Sequence, residues 1–424
     1  AGAWCGQNKY LSAIKNAFQN FMPLTIAGAI GVLWCNVLVN DQTGLGLFFK
    51  PIMALDFLNP AFQAVNFCTI SCITVGITLG IAQEIGVWNM GAERAGYIPG
   101  LVGLAAWLSV TNTSHMVDGA KEAFTGIAGN ELGATGLFTG MIIGVLSVEL
   151  FCFFEKQDAL KIKMPEQVPP GVARAFEVLV PATITLIITA CIGSACYNLT
   201  GLYLNDVIKN GIQGPLGAVG ATIPGVMIIY LVIMLFWLVG IHGNNMLSAV
   251  KEALFTPLAL ENVEAFNKGE TPKNIINMYA LQMWGEFGGS GVTIGLVIAI
   301  MIFGKREDNK AIATLSLVPG LFNINETVTF GIPMVLNPIL GIPFVVAPLV
   351  TIIIGYVLTV IGFCPVACLT VPWTTPPIVF GFLATGANVM GAVTQAILIV
   401  VSTVIYVPFL ISYEKYQNKQ AAEA

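Results

Sequence analysis

Charge is what this chain has least of. Of its 424 residues only 10% are Asp, Glu, Lys or Arg, while 56% are hydrophobic, and the mean hydropathy is +0.81. A soluble domain carries about 25% charged residues. A water-soluble enzyme is therefore excluded, and an all-α, polytopic helical membrane protein is expected. The net charge is −5 and no basic patch gathers, so no nucleic-acid partner is expected. Histidine is scarcer still, at two residues, and the nine cysteines lie mostly inside apolar runs, as Cys35, Cys68, Cys72, Cys191 and Cys196 do. The pairs Cys68/Cys72 and Cys364/Cys368 have helical spacing, but no His or carboxylate joins them. They read as small buried hydrophobes, and no metal site is expected. No Walker loop or nucleophile elbow occurs, so ATP-driven and hydrolytic chemistry lack support and no cofactor is expected. Residues 1–20 lack the apolar core and cleavage site of a signal peptide.

What is present is a series of apolar runs. They lie near 21–39, 62–82, 97–110, 134–154, 175–197 and 222–241, then 290–303, 343–363 and 388–412, close to the ~20 residues that a span needs. Ahead of them, Leu11, Ile14, Phe18 and Phe21 recur near helical spacing beside Lys9 and Lys15. That pattern predicts an amphipathic interfacial helix over residues 1–20. Lysine and arginine gather before the first run, in 155–174, at 305–310 and at the C-terminus. Both termini and the 155–174 loop are thus expected on the cytoplasmic side. That loop, EKQDALKIKMPEQVPPGVAR, reads equally as a hinge or partner contact and as a solvated connection. Residues 21–214 consist of plain spans and read as a scaffold. Residues 215–424 are broken by Gly, Pro and polar residues, and read as a substrate domain.

The break that matters most is 317–338, LVPGLFNINETVTFGIPMVLNP. Two apolar arms enclose Asn323, Asn325 and Glu326, with Gly and Pro on either side. A spanning helix tolerates neither the breaks nor a lone carboxylate, whereas a re-entrant hairpin lining a cavity tolerates both. Glu326 is expected there as a desolvated carboxylate of raised pKa, suited to accepting a proton. His242 follows an apolar run in FWLVGIHGNNM. Gly240, Gly243, Asn244 and Asn245 around it allow close backbone approach and supply polar groups. With Glu326 it forms the candidate catalytic pair, orienting the carboxylate or sharing its proton. Trp373, in TVPWTTPP, and Trp237 offer ring faces for the C–H faces of a saccharide, while the Asn side chains take hydroxyls. Trp237 reads equally as an interfacial-belt residue. Glu286 reads as a second site carboxylate or as a residue at a water-filled mouth. Arg94 pairs with Glu93, meets lipid phosphate or reaches a sugar. His115 reads as an exposed loop residue, and Glu252 to Lys273 as a solvated stretch.

These residues carry a resemblance. NAFQNFMPLTIAGAI, KIKMPEQVPPGVARAF, WLVGIHGNNML, FTPLALENV, FGGSGVTIGLVIAI, LFNINETVTFGIPMVLNPILGIPF and VPWTTPP occur in order over nearly the whole chain. The sequence resembles the membrane subunit, component IIC, of the bacterial phosphoenolpyruvate-dependent sugar phosphotransferase system, within its lactose/cellobiose/diacetylchitobiose family. The resemblance implies about ten transmembrane helices with re-entrant hairpins, a homodimer formed through the N-terminal half, and a disaccharide site in the C-terminal half. His242 and Glu326 match the pair facing the sugar C6 hydroxyl, and Trp373 matches a ring-stacking position. Gly243, Asn244, Asn323 and Asn325 join Trp237 as expected substrate-binding residues. The phosphoryl donor is expected to be a phosphocysteine on a separate IIB protein, and the location the bacterial cytoplasmic membrane. The family usually places Pro after the motif Glu, and here Thr327 stands there. On the residues alone, a proton-coupled secondary transporter or facilitator is the rival reading.

Overall fold

The computed structural model describes residues 8–41, 45–47, 49–115, 124–165, 167–215, 220–332, 334 and 336–423. Five described helices are long and apolar enough to cross a membrane by length and composition: those within Lys9–Leu38, Ala134–Glu155, Pro170–Thr200, Gly341–Val360 and Val389–Gln420. Lys50–Ser71 and Ile73–Met90 together form a bent sixth, and Ile98–Val110, Ile223–Leu238 and Ile294–Phe303 are shorter apolar helices. Each expected apolar run thus lies on a helix. The only strands among the described residues, Ser114–His115 and Phe124–Thr125, pair antiparallel. They hold His115 half-buried against the Phe124 ring (5.5 Å between centroids), where an exposed loop residue was expected.

The chain divides into two compact units, one containing Gly6–Gly28 and Ala64–Gly217, the other Ala29–Gln63 and Ala218–Ala424. Residues 29–63, which the sequence placed in the N-terminal scaffold, cluster with the C-terminal half. Within that unit the Asn36 amide donates to Asn267 Oδ1 (3.2 Å).

In the first of these units Ile73–Met90 packs on Ile98–Val110 and Ala134–Glu155, burying Ile77, Ile81 and Ile85 completely. The approach is close: a Cβ on Gly103 would lie 2.3 Å from the Ala82 methyl. In lipid, where apolar contact alone does not drive association, such small-residue faces let helices pack. Of the stretch expected as an interfacial helix over residues 1–20, the part from Lys9 onward continues into the next apolar run. One helix runs unbroken over Lys9–Leu33. Its buried Ala13 and Ala17 form a small-residue face, and Ala17 meets Gly80 of the Ile73–Met90 helix. Arg94 does not pair with Glu93. It bonds Glu155 (2.9 Å) and Glu177 (2.8 Å), as Arg174 also does. Glu155 is almost fully buried, and a buried carboxylate needs such partners. Its bond to Arg174 also ties together the two ends of the 155–174 linker. Cys68 and Cys191 are exposed on their helices rather than buried.

In the other unit, Ile294–Phe303 packs on Val389–Glu423 and on Glu307–Leu321, while Gly341–Val360 packs on Ile223–Leu238, Met278–Gly285 and Val389–Glu423. Gly355 admits the Trp284 ring, which would lie 2.4 Å from a Cβ there. The stretch from Glu252 to Lys273 is not a solvated segment. Gly243–Asn267 is one helix that buries Phe255, Ala259, Leu260 and Val263. Glu252 accepts from Thr256 (2.5 Å), and only the far end of the stretch, Asn267 to Thr271 together with Lys273, is exposed.

Candidate functional site

Three interrupted segments and the Gly243–Asn267 helix of this unit line one cavity of about 730 Å³. The interruptions explain the shape. Glu307–Leu321 stops at Phe322, and a short helix restarts at Glu326, so Asn323, Ile324 and Asn325 form a turn whose polar groups face inward. Gly288 and Gly289 have φ of 70° and 87°, a backbone that only glycine adopts freely. A Cβ on Gly289 would lie 2.7 Å from the Asn325 side chain, so FGGSG is flat enough to let the Asn325 turn seat on it.

His242 precedes the Gly243–Asn267 helix as its N-cap, with Nδ1 accepting the Asn245 backbone N–H (3.3 Å). An imidazole that accepts at Nδ1 carries its proton on Nε2 when neutral. Burial pushes the His242 pKa below its ordinary value, and the Glu326 carboxylate opposes that shift. Nε2 lies 3.9 Å from Glu326 Oε1. That is too long for a hydrogen bond and leaves room for an oxygen that accepts from Nε2–H and donates to the carboxylate. The Trp237 ring packs on the imidazole at 4.4 Å between centroids and fixes its plane.

Glu326 is not desolvated as expected. Its side chain is 48% exposed, because the first residue of the short helix projects into an open cavity. Trp373 is 43% exposed and lines the same cavity. Asn244, Asn323 and Asn325 line it too, but their amides are engaged. Asn244 donates to Ser290 Oγ (2.9 Å), Asn325 donates to the Ser290 carbonyl (2.7 Å) and Asn323 holds backbone groups of two other loops. Trp237 and Gly243 are buried behind the wall and do not line the cavity. At Gly243 a Cβ would lie 2.0 Å from the Ile233 carbonyl oxygen, so glycine there serves packing.

The largest omission of the sequence reading is Lys251. It is 5% exposed, lines the cavity, and is ion-paired to Glu286. Glu286 also accepts from the Tyr230 hydroxyl (2.7 Å), and Lys251 donates to Asn244 Oδ1 (3.3 Å). The signal was available: Asn244, Ser248 and Lys251 stand at i, i+4 and i+7, one helix face. Glu286 is the second cavity carboxylate, neutralised by its lysine, which leaves Glu326 as the carboxylate without a fixed cation. Gln395, also unforeseen, accepts from the N–H groups of Ile378 and Gly381 (2.8 and 2.7 Å) and anchors the segment after Trp373.

Comparison with known proteins agrees with this architecture. Residues 15–348 match the family described as "Phosphotransferase system, EIIC". The chain is 33% identical to the oligo-beta-mannoside-specific EIIC component of Bacillus subtilis (strain 168), over 96% of this chain and 90% of that one. It is 32% identical to the lactose-specific EIICB component of Streptococcus mutans, covering 98% of this chain and 71% of that protein. The crystal structure of ChbC, the IIC component of the N,N'-diacetylchitobiose-specific phosphotransferase system, superposes with a TM-score of 0.90 at 29% identity, covering 99% of this chain and 97% of that one. A helical membrane chain that shares its fold with one IIC transporter, and its sequence with others along nearly its full length, belongs to the EIIC family of the phosphotransferase system, the multi-pass permeases that take up sugar together with a IIB partner.

Proposed function

We propose that the cavity binds a β-linked disaccharide and presents its C6 hydroxyl to the phosphoryl donor between His242 and Glu326. The observation that carries this reading is the 3.9 Å gap between His242 Nε2 and Glu326 Oε1, beside an exposed Trp373 face. A hydroxyl oxygen in that gap accepts from Nε2–H and gives its own proton to Glu326. Its lone pair attacks the phosphorus of a phosphocysteine on the IIB partner. The S–P bond breaks, the thiolate keeps the electron pair, and the sugar leaves as its 6-phosphate. Catalysis of this kind is mostly positioning and charge stabilisation. This chain supplies the acceptor site and the base, while the phosphoryl group comes from IIB. A volume of about 730 Å³ falls within the roughly 300–1,000 Å³ of small-molecule sites. The saccharides named for the relatives, an oligo-beta-mannoside, lactose and N,N'-diacetylchitobiose, support a β-linked disaccharide as the substrate class.

Calorimetric binding of cellobiose, lactose and diacetylchitobiose to the purified protein tests the substrate class, and binding of none of the three overturns it. Delivery of unmodified sugar by proteoliposomes containing phospho-IIB would overturn the coupling to phosphorylation and favour secondary transport. Trp373→Ala should weaken binding of the best disaccharide by roughly 1 kcal/mol or more, because ring stacking and burial are both lost. Unchanged affinity would remove Trp373 from the sugar site.

The protein is further read as a homodimer in the bacterial cytoplasmic membrane. The helix Pro170–Thr200 exposes Phe176, Leu179 and Ile187, an apolar face suited to lipid or to a second copy. Both termini and residues 155–174 are assigned to the cytoplasm on the clustering of their basic residues. Gln157 is exposed, so Gln157→Cys should resist an impermeant thiol reagent in intact cells, in a background lacking the exposed native cysteines, and react in inverted vesicles. Ready labelling of intact cells reverses the orientation.

A further inference from the structure

The turn that presents Glu326 contains an asparagine where the backbone would prefer glycine. Asn323 follows the C-cap of the Glu307–Leu321 helix with φ 63°. Its N–H bonds the Gly320 carbonyl (3.0 Å), and the next N–H, of Ile324, bonds the Pro319 carbonyl (3.0 Å). This pair of bonds is the Schellman ending of a helix, whose left-handed residue is most often Gly and sometimes Asn. Glycine would adopt the conformation at lower cost, so what asparagine adds here is its side chain.

That side chain reaches two other segments of the cavity wall. Its Oδ1 accepts from the Gly288 N–H (2.6 Å) in FGGSG. Its amide nitrogen donates to the Trp373 carbonyl, and to the Thr375 carbonyl at 3.2 Å, in VPWTTPP. An asparagine has two N–H donors, and both are spent on these carbonyls. None remains for a sugar hydroxyl, so the amide cannot serve as the sugar-donating group expected from the sequence.

We propose that Asn323 is a positioning residue that sets Trp373 and Glu326 in register across the sugar. It lies three residues before the base and its amide grips the backbone of the stacking residue, so the spacing between ring and carboxylate runs through one side chain. The Gly288 bond anchors that side chain to FGGSG, the loop on which Asn325 also sits through the Ser290 carbonyl (2.7 Å). A disaccharide stacked on Trp373 then has its C6 hydroxyl delivered to Glu326 only while this tie holds. Misplacing reacting groups by about 1 Å costs on the order of 10²-fold in rate.

This inference rests on the reading of the cavity as the sugar site. Asn323→Gly tests it cleanly, since it keeps the helix ending, relieves the left-handed strain and deletes the three side-chain bonds. Thermal stability should stay near that of the parent. Affinity for the disaccharide that binds the parent best should fall about tenfold, and kcat for phosphorylation should fall with it. A second measurement separates positioning from general support. If Asn323 acts on affinity through Trp373, the loss of affinity from Asn323→Gly should largely disappear in a Trp373→Ala background, a coupling that a double-mutant cycle reads directly. Parent-like affinity and kcat in Asn323→Gly, or losses that simply add in the double variant, would overturn the proposal. If neither Trp373→Ala nor Glu326→Gln changes sugar binding or phosphorylation, the cavity reading itself has failed. If those two do and Asn323→Gly does not, this inference alone has failed.

Discussion

Glu326→Gln should still bind sugar and nearly stop phosphorylating it. The amide keeps the shape and a hydrogen-bonding capacity but loses the basic oxygen. Affinity should fall by about 1–2 kcal/mol for a lost charged hydrogen bond. Phosphoryl transfer should fall about 10²–10⁴-fold, the usual contribution of a positioned base. A small effect on folding is expected, because the side chain is 48% exposed and substitutions at exposed positions rarely move stability by more than about 0.5 kcal/mol. The measurement is sugar phosphate formed per folded protein, with purified phospho-IIB in excess. Near-parent phosphorylation would rule out general-base catalysis by Glu326. Loss of activity that merely tracks loss of folded protein would make the residue structural.

Lys251→Met should be the most damaging single change to stability in the cavity wall. It strands the Glu286 carboxylate, whose side chain is 17% exposed while the lysine side chain is 7% exposed, with the Tyr230 hydroxyl as its remaining donor. Breaking a buried pair from one side costs about 3–5 kcal/mol, whereas replacing both partners by neutral groups is often close to neutral. The thermal midpoint of the purified protein should therefore drop sharply in Lys251→Met and recover in Lys251→Met/Glu286→Gln. Equal midpoints for the single variant and the parent would mean that water already reaches the pair. A double variant no better than the single one would show that Lys251 contributes through its stem packing rather than its charge.

Composition and periodicity alone determined the class of this protein. With 10% charged residues no soluble fold is available, and each long apolar run became a helix because backbone groups in lipid must be satisfied within the segment. The break around Glu326 was legible for the same reason inverted, since Gly and Pro breaks beside a carboxylate are tolerable only at a cavity. Tertiary structure decided what those polar groups face. The sequence placed Asn323, Asn325 and Asn244 against substrate, but their amides are engaged with the backbone and side chains of other loops, partners that lie tens of residues away and leave no local pattern. Trp237, five residues before His242, and Gly243, directly after it, are buried behind the cavity wall, because the chain turns into a helix at Gly243. Lys251 was overlooked, one residue ahead of the stretch whose charges read as solvated. Its pairing with Glu286 spans 35 residues, and only the folded packing of the Gly243–Asn267 helix against the Met278–Gly285 segment turns two isolated charges into one buried pair.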